Sequence, residues 1–297
     1  MATSSGASTT LPADAGILAT GRSYLLTGSS FSLGGIAGSD LSGAALGTGG
    51  IKVSAPDTAA TQTDAVGPAT GFHLGAGLPA MTAGATDQYA WVRLGVAGRP
   101  KDTGDNAADF SLVSDTGAVV GGVQSARGSA SPTGLTNPFQ RNAFMQSVLL
   151  DSSATNALSP NRTYTRATGT LVIRRTITNS SGSTITAAKV RVTALSEADG
   201  APLLGVAQQP TRRANLRVVN PGTASSVVAV AGRGDVTVQN LSVDSPIVAA
   251  SGGGLNSTLT VPLPLGGLPP GSSVDVAFTF QVDTGGTFWF GYDVDAK

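Results

Sequence analysis

The chain contains no cysteine. Disulfides, thiolate nucleophiles and thiolate-bound zinc or iron–sulfur centres are therefore outside its chemistry. It has a single histidine, His73, so no site built on several imidazoles can form. Glu197 is the only glutamate, and lysine occurs only at Lys52, Lys101, Lys189 and Lys297. Charged residues make up 12% of the 297 positions, about half the usual share, and aromatics 5%. Formal net charge is zero, which argues against broad electrostatic capture of nucleic acid or of an anionic membrane. The small basic pairs Arg174-Arg175 and Arg212-Arg213 do not alter that reading. No apolar run approaches the length of a membrane-crossing helix. The opening stretch, MATSSGASTTLPADAG, has neither a basic n-region nor an apolar h-region. It reads as the start of a chain used without Sec export, or as a mature segment with an added Met.

What the chain does have is 40 glycines and a 40% apolar fraction carried largely by Ala, Val and Leu. Helix formers are scarce, and no window shows a long 3.6-residue stripe between caps. Period-two alternation recurs instead. The composition and the pattern together predict an all-β protein with a valine-rich core and much loop.

The clearest pattern is LPPGSSVDVAFTFQVDTGGTFWFGYDVDA, from Leu268 to Ala296. Pro269-Pro270-Gly271 makes a turn. Val274, Val276, Phe278, Phe280 and Val282 then share one face of a strand, and Asp275, Ala277, Thr279, Gln281 and Asp283 the other. Asp283-Thr284-Gly285-Gly286 reverses the chain, and Phe288, Phe290, Tyr292 and Val294 share a face of the return strand. The pattern predicts a hairpin with a well-specified register. Trp289 falls on the opposite phase from those aromatics. It reads as a partner-contact residue or, more simply, as core between two covered faces.

The first ten residues are a Ser/Thr/Ala/Gly tail, expected to be flexible. Residues 11–139 are glycine-broken and extended, with YAWVRLGVAG (Tyr89–Gly98) the best strand and DFSLVSDTGAVVGGVQ a predicted hairpin around Asp115-Thr116-Gly117. Ser129–Asn142 is rich in Pro, Gly and Asn and reads as a linker or crossover. From 140 to 297 the patterning sharpens. TLVIRRTITNSSGSTITAAKVRVTAL predicts strand, turn and strand, with Leu171, Ile173 and Ile177 on one face, Val190, Val192 and Ala194 on the partner's, and a bulge near Ala187-Ala188 because Ile185 is out of phase. Further short strands at ANLRVVN, SSVVAVAG, DVTVQNLSV and NSTLTVPLPL suggest a sandwich.

RTITNSSGSTITAAKVRV followed by LPPGSSVDVAFTF resembles the immunoglobulin-like modules of prokaryotic surface and phage structural proteins. The resemblance covers about Leu150 to Lys297. It implies a C-terminal Ig-like antiparallel β-sandwich and carries over no catalytic residue. The absent cysteine pair departs from antibody-type domains.

A search for chemistry finds little. TGFHLGAG around His73 lacks a nucleophile elbow. GTGG and GGIAG are not phosphate loops. One Glu and seventeen Asp, mostly in turns, point to no acid–base pair. KDTGDNAAD gathers Asp102, Asp105, Asn106 and Asp109 in one loop; it reads as a polar turn, with calcium as the weaker alternative because EF-hand spacing is absent. Four Asn-x-Ser/Thr sequons, at Asn161, Asn179, Asn240 and Asn256, are expected by chance in so Ser/Thr-rich a chain. Leu25, Leu26, Phe31, Leu33, Ile36, Leu41 and Leu46 lie in glycine-broken pieces and require cover, in part from the Ig-like half and chiefly from a neighbouring subunit or another virion protein. The sequence therefore reads as a non-enzymatic structural protein without a cofactor. Its expected partners are itself, as a homo-oligomer, and other virion or surface structural proteins. Its expected place is a bacteriophage virion, as a capsid decoration, head/tail-surface, tail-tube or fibre component; the alternative is an extracellular or cell-surface filament or adhesion protein.

Overall fold

The computed structural model describes residues 2–3, 25, 49–54, 62–82, 88–96, 99–131, 138–151, 163–196, 213–245 and 252–297. Among these residues the chain is all-β, with one helical turn.

The first part forms small sheets. β1 (Ala2–Thr3), β2 (Ile51–Ser54) and β3 (Gln62–Val66) pair antiparallel in that order. β4 (Tyr89–Arg93) pairs antiparallel with β7 (Phe110–Ser114), which also takes β10 (Ala126–Arg127) in parallel. β5 (Gly95–Val96) and β6 (Arg99–Pro100) make a short ladder, and α1 (Asn106–Asp109) is a single turn that leads into β7. The hairpin predicted around Asp115-Thr116-Gly117 is displaced. β8 (Val119–Val120) pairs with β9 (Val123–Gln124), and the reversal falls at Gly121-Gly122, both at positive φ. Two adjacent glycines can take the left-handed region at no steric cost, so they outcompete Asp-Thr-Gly for the tight turn.

Two larger sheets face each other across one core. The five-stranded sheet runs β11 (Gln140–Arg141), β23 (Phe290–Ala296), β15 (Ala188–Leu195), β20 (Thr258–Val261), β19 (Ser242–Ser245). In the other, β12 (Met145–Leu149) pairs with β14 (Gly169–Asn179), and β14 with β21 (Ser273–Thr284) over ten residues. The far side of β21 is shared. β16 (Asn215–Val218) pairs with its end, and β18 (Gly234–Asn240) runs parallel to its start. β17 (Ser225–Val230) then pairs antiparallel with β18. β22 (Gly286–Thr287), between β21 and β23 in the chain, forms a two-residue ladder with β13 (Thr163–Tyr164).

The core follows from alternation. Leu171, Ile173 and Ile177 of β14 and Val274, Val276, Phe278, Phe280 and Val282 of β21 are all buried, and they meet Val190 and Val192 of β15, Leu259 of β20 and Val294 of β23. Each such side chain contributes about 1.5–3 kcal/mol on full burial. The face of β21 that was expected to be polar is covered as well. The β17–β18 hairpin lies over it, and Val230, Val238, Leu150 and Ala277 form a second small core there. Arg233, in the turn of that hairpin, reaches Asp275 of β21 at 2.7 Å and fixes the hairpin's tip.

Three predicted features are corrected. β21 and β23 are not a hairpin: β21 belongs to one sheet and β23 to the other, so the chain crosses the core at Gly285. β14 and β15 are separated in the same way. Alternation fixes which residues face inward, but it reads the same whether the next strand lies beside its predecessor or opposite it. The bulge lies between Val192 and Ala194 rather than at Ala187-Ala188, and Ile185 instead forms an isolated bridge to Leu268.

The first part of the chain packs on the sandwich of its own molecule. Leu94 and Val113 pack with Leu255. Leu255 N–H donates to the Arg127 carbonyl at 3.0 Å, and Ser129 N–H donates back to the Leu255 carbonyl at 3.0 Å. Asn256, at φ +60°, donates from its side chain to the carbonyls of Ser129 and Ser131. The segment expected to be a linker is thus stitched to the sandwich at its start, and it supplies the edge strand β11 near its end.

Candidate functional site

The Asp-rich loop is built for its own fold. Asp105 caps α1, its carboxylate accepting from Ala107 N–H at 3.0 Å. Asn106 is buried; its carbonyl oxygen accepts from Gly67 and Leu74 N–H, and its amide donates to the Ala65 carbonyl. Asp109 is buried and accepts from Thr103 N–H and from the Thr103 hydroxyl, both at 2.8 Å, with Lys101 Nζ 3.8 Å away. Burial works to raise the Asp109 carboxyl. The Thr103 hydrogen bonds, a backbone hydrogen bond from Asp105 and the Lys101 charge outweigh it and hold the group below its ordinary value. Asp102 pairs with Arg93 at 3.7 Å. The oxygens of Asp102, Asp105 and Asp109 therefore point to separate donors. Among the described residues no group of three or more His, Asp or Glu side chains is placed to hold a metal ion. His73 Nδ1 lies 2.8 Å from the Gly71 carbonyl.

The predicted contact residues divide. Leu25 is buried within this chain, so it is not a surface anchor; intramolecular packing has already covered it. Leu26, Phe31, Leu33 and Ile36, with Leu41 and Leu46, lie outside the described residues. Trp289 is half-buried. The Arg213 guanidinium lies 5.6 Å from its ring centroid, and its carbonyl accepts from Ser196 N–H. Its Nε1–H is buried without an acceptor.

Several other ionisable groups form ion pairs. Arg174 and Asp151 meet at 3.1 Å, each 7% exposed. On the outer face of the five-stranded sheet, Arg191 pairs with Asp295, Arg141 with Asp293, and Lys189 with Asp244, at 2.9, 3.1 and 2.6 Å. Tyr292 hydrogen-bonds Ser147 across the sandwich, and burial raises its phenol above the ordinary value.

Sequence reasoning missed the exposed apolar residues at the free edges. Among the described residues β12 and β17 end the strand path of the larger sheet, while β16, a third edge beside β21, has its outer side bonded to Ser196 and Gly253. Val148 on β12 is 58% exposed, Phe144 just before it 63%, and Val227 on β17 68%. Their signal was present: MQSVL and SSVVAV are short, uncharged strands that carry apolar residues on both phases. Beside β17 an open groove of about 570 Å³ is lined by Val172, Ser226, Val228 and Thr279. No helix among the described residues is long and apolar enough to cross a membrane. No protein-family model, curated protein or solved structure matches the chain.

Proposed function

We propose that this chain is a non-enzymatic structural protein of a bacteriophage virion, a capsid decoration or head/tail-surface component that acts through subunit contacts. One observation carries the reading. Both free edges of the larger sheet present large apolar side chains to solvent, Phe144 and Val148 at one and Val227 at the other. A free edge offers unpaired backbone donors and acceptors, and folds that remain single blunt it with charge or proline. β12 and β17 carry neither. Different edges on one subunit make a head-to-tail contact, which extends into rings or lattices.

The connections of the sandwich support an Ig-like reading. β14 pairs with β12 and β21, and β15 pairs with β23 and β20 in the facing sheet. Two connections, β14 to β15 and β21 to β23, thus change sheets, as B to C and E to F do in an immunoglobulin-type sandwich. The ion pairs that engage Asp151, Asp244, Asp275, Asp293 and Asp295 support a scaffold reading.

Immunogold electron microscopy of phage particles and cells from the source, with antibody raised against the purified chain, tests the assignment. Regular labelling of capsid or tail is the expected result. Labelling confined to the cell envelope would replace it with a surface-filament role.

A further inference from the structure

A second cleft, of about 300 Å³, opens between the β4–β7–β10 sheet and the β16 end of the sandwich. That volume stands at the lower limit of small-molecule sites. Trp91, Gln124, Asn215, Arg217 and Asp283 line it.

Its polar groups are aimed there by a break in the sheet. Asn215 pairs with Thr284 while its neighbour Leu216 pairs with Val282, so Asp283 is the extra residue of a β-bulge. Bulges re-aim side chains, and here both residues at the irregularity face one cleft. Arg217 Nε donates to both Asp283 oxygens, at 3.2 and 3.0 Å, which fixes the carboxylate and leaves further lone pairs open. Among the described residues Asn215 makes no side-chain hydrogen bond and Trp91 Nε1–H meets no acceptor, while both line the cleft. Gln124 donates to the Gly117 and Ser125 carbonyls, and its own carbonyl oxygen meets no donor among the described residues. Across the opening, Arg127 is held by the Thr116 carbonyl.

We infer that this cleft binds a neutral pyranose ring. The half-buried Trp91 indole offers an apolar face to the C–H side of a sugar and an N–H to its edge. Each ring hydroxyl can donate and accept, which matches a fixed carboxylate acceptor beside a free amide that does both. Arg217 and Asp283 neutralise each other as a pair, so neither presents a lone charge to a phosphate or a cation. Among the chain's two tryptophans only Trp91 meets such a set; Trp289 lies under Arg213. The inference does not depend on the assembly role.

Saturation-transfer NMR and tryptophan fluorescence on the full chain, with methyl glycosides of glucose, galactose, mannose and N-acetylglucosamine, test it. At least one glycoside is expected to bind saturably in the millimolar range. Asn215→Ala and Trp91→Ala should each weaken that binding by about tenfold or more, while Trp289→Phe leaves it unchanged. Asn215→Ala removes no side-chain hydrogen bond among the described residues, and the variant's thermal melt, expected to match the parent's, separates lost binding from lost folding. Failure of all four to bind at about 50 mM, far above the affinity such a site supports, would overturn the inference. So would binding that survives both substitutions.

Discussion

Phe278 and Phe290 lie edge to face, ring centroids 4.9 Å apart, although their strands belong to opposite sheets. Phe280 meets the same Phe290 ring at 4.8 Å, and Tyr292 lies 4.9 Å from Phe278. The two aromatic rows on either side of Gly285 therefore close the sandwich on each other. Phe278→Ala should destabilise the protein by about 3–5 kcal/mol, the cost of an aromatic cavity in a packed core. Urea unfolding measures it, and a loss below about 1 kcal/mol would mean that the two rows do not meet.

Gly285 is where the chain leaves one sheet for the other. A Cβ there would lie 1.8 Å from the Arg166 carbonyl oxygen. Gly285→Ala should cost about 1–3 kcal/mol through forced backbone displacement. Gly271, at a turn with open space around it, supplies the contrast: Gly271→Ala is strained only by its φ of +75°. Thermal melts of the two variants compare steric clash with backbone strain, and Gly285→Ala should melt lower.

Arg174 and Asp151 are both nearly inaccessible. Asp151→Ala leaves a buried guanidinium without its carboxylate and should cost about 3–5 kcal/mol. Replacing both, Arg174→Met with Asp151→Leu, should recover most of that loss, because the isolated charge is the penalty. A double-mutant cycle in denaturant reads the coupling, and additive losses would contradict it.

Asp295 and Asp109 should affect stability with opposite pH dependence. Burial raises Asp295, and the Arg191 ion pair only partly offsets it. Its folded form holds the proton more tightly, so its contribution is present below the ordinary value of 3.8 and is lost as pH rises through the folded value. Asp109 is lowered, so its contribution is present above 3.8 and is lost as pH falls through the folded value. Relative to the parent chain, Asp295→Asn should gain stability as pH rises through the acid range. Asp109→Asn should gain as pH falls below 3.8. Denaturation across pH checks the two signs, and a shared sign would be inconsistent with the sites.

The inward rows were legible because a period of two is a local property of the backbone. Val274 to Val282 and Leu171 to Ile177 read correctly as buried faces from sequence alone. Which strand sits beside which was not legible, since crossing the core at Gly285 and turning back at Gly285 demand the same residues. The bulge at Val192–Ala194 was hidden because its phase change falls among small residues that fit either face. The Asp-rich loop showed its oxygens in sequence, but only the fold reveals that Thr103, Lys101 and the α1 backbone occupy them. The cleft could not be read, because Trp91 and Asp283 are distant in the chain and meet through the docking of Leu94 and Val113 on Leu255.

The proposed role requires assembly through β12 and β17, the ends of the larger sheet's strand path. Sedimentation velocity over a concentration series, on the full chain and on a Phe144→Asp, Val148→Lys, Val227→Lys variant, tests it most directly. These side chains are exposed, so the variant's unfolding free energy should match the parent's within about 0.5 kcal/mol. The account predicts concentration-dependent oligomers for the parent and a monomer for the variant. A parent chain that remains monomeric at the highest concentration, or oligomers that the triple variant retains, would contradict it.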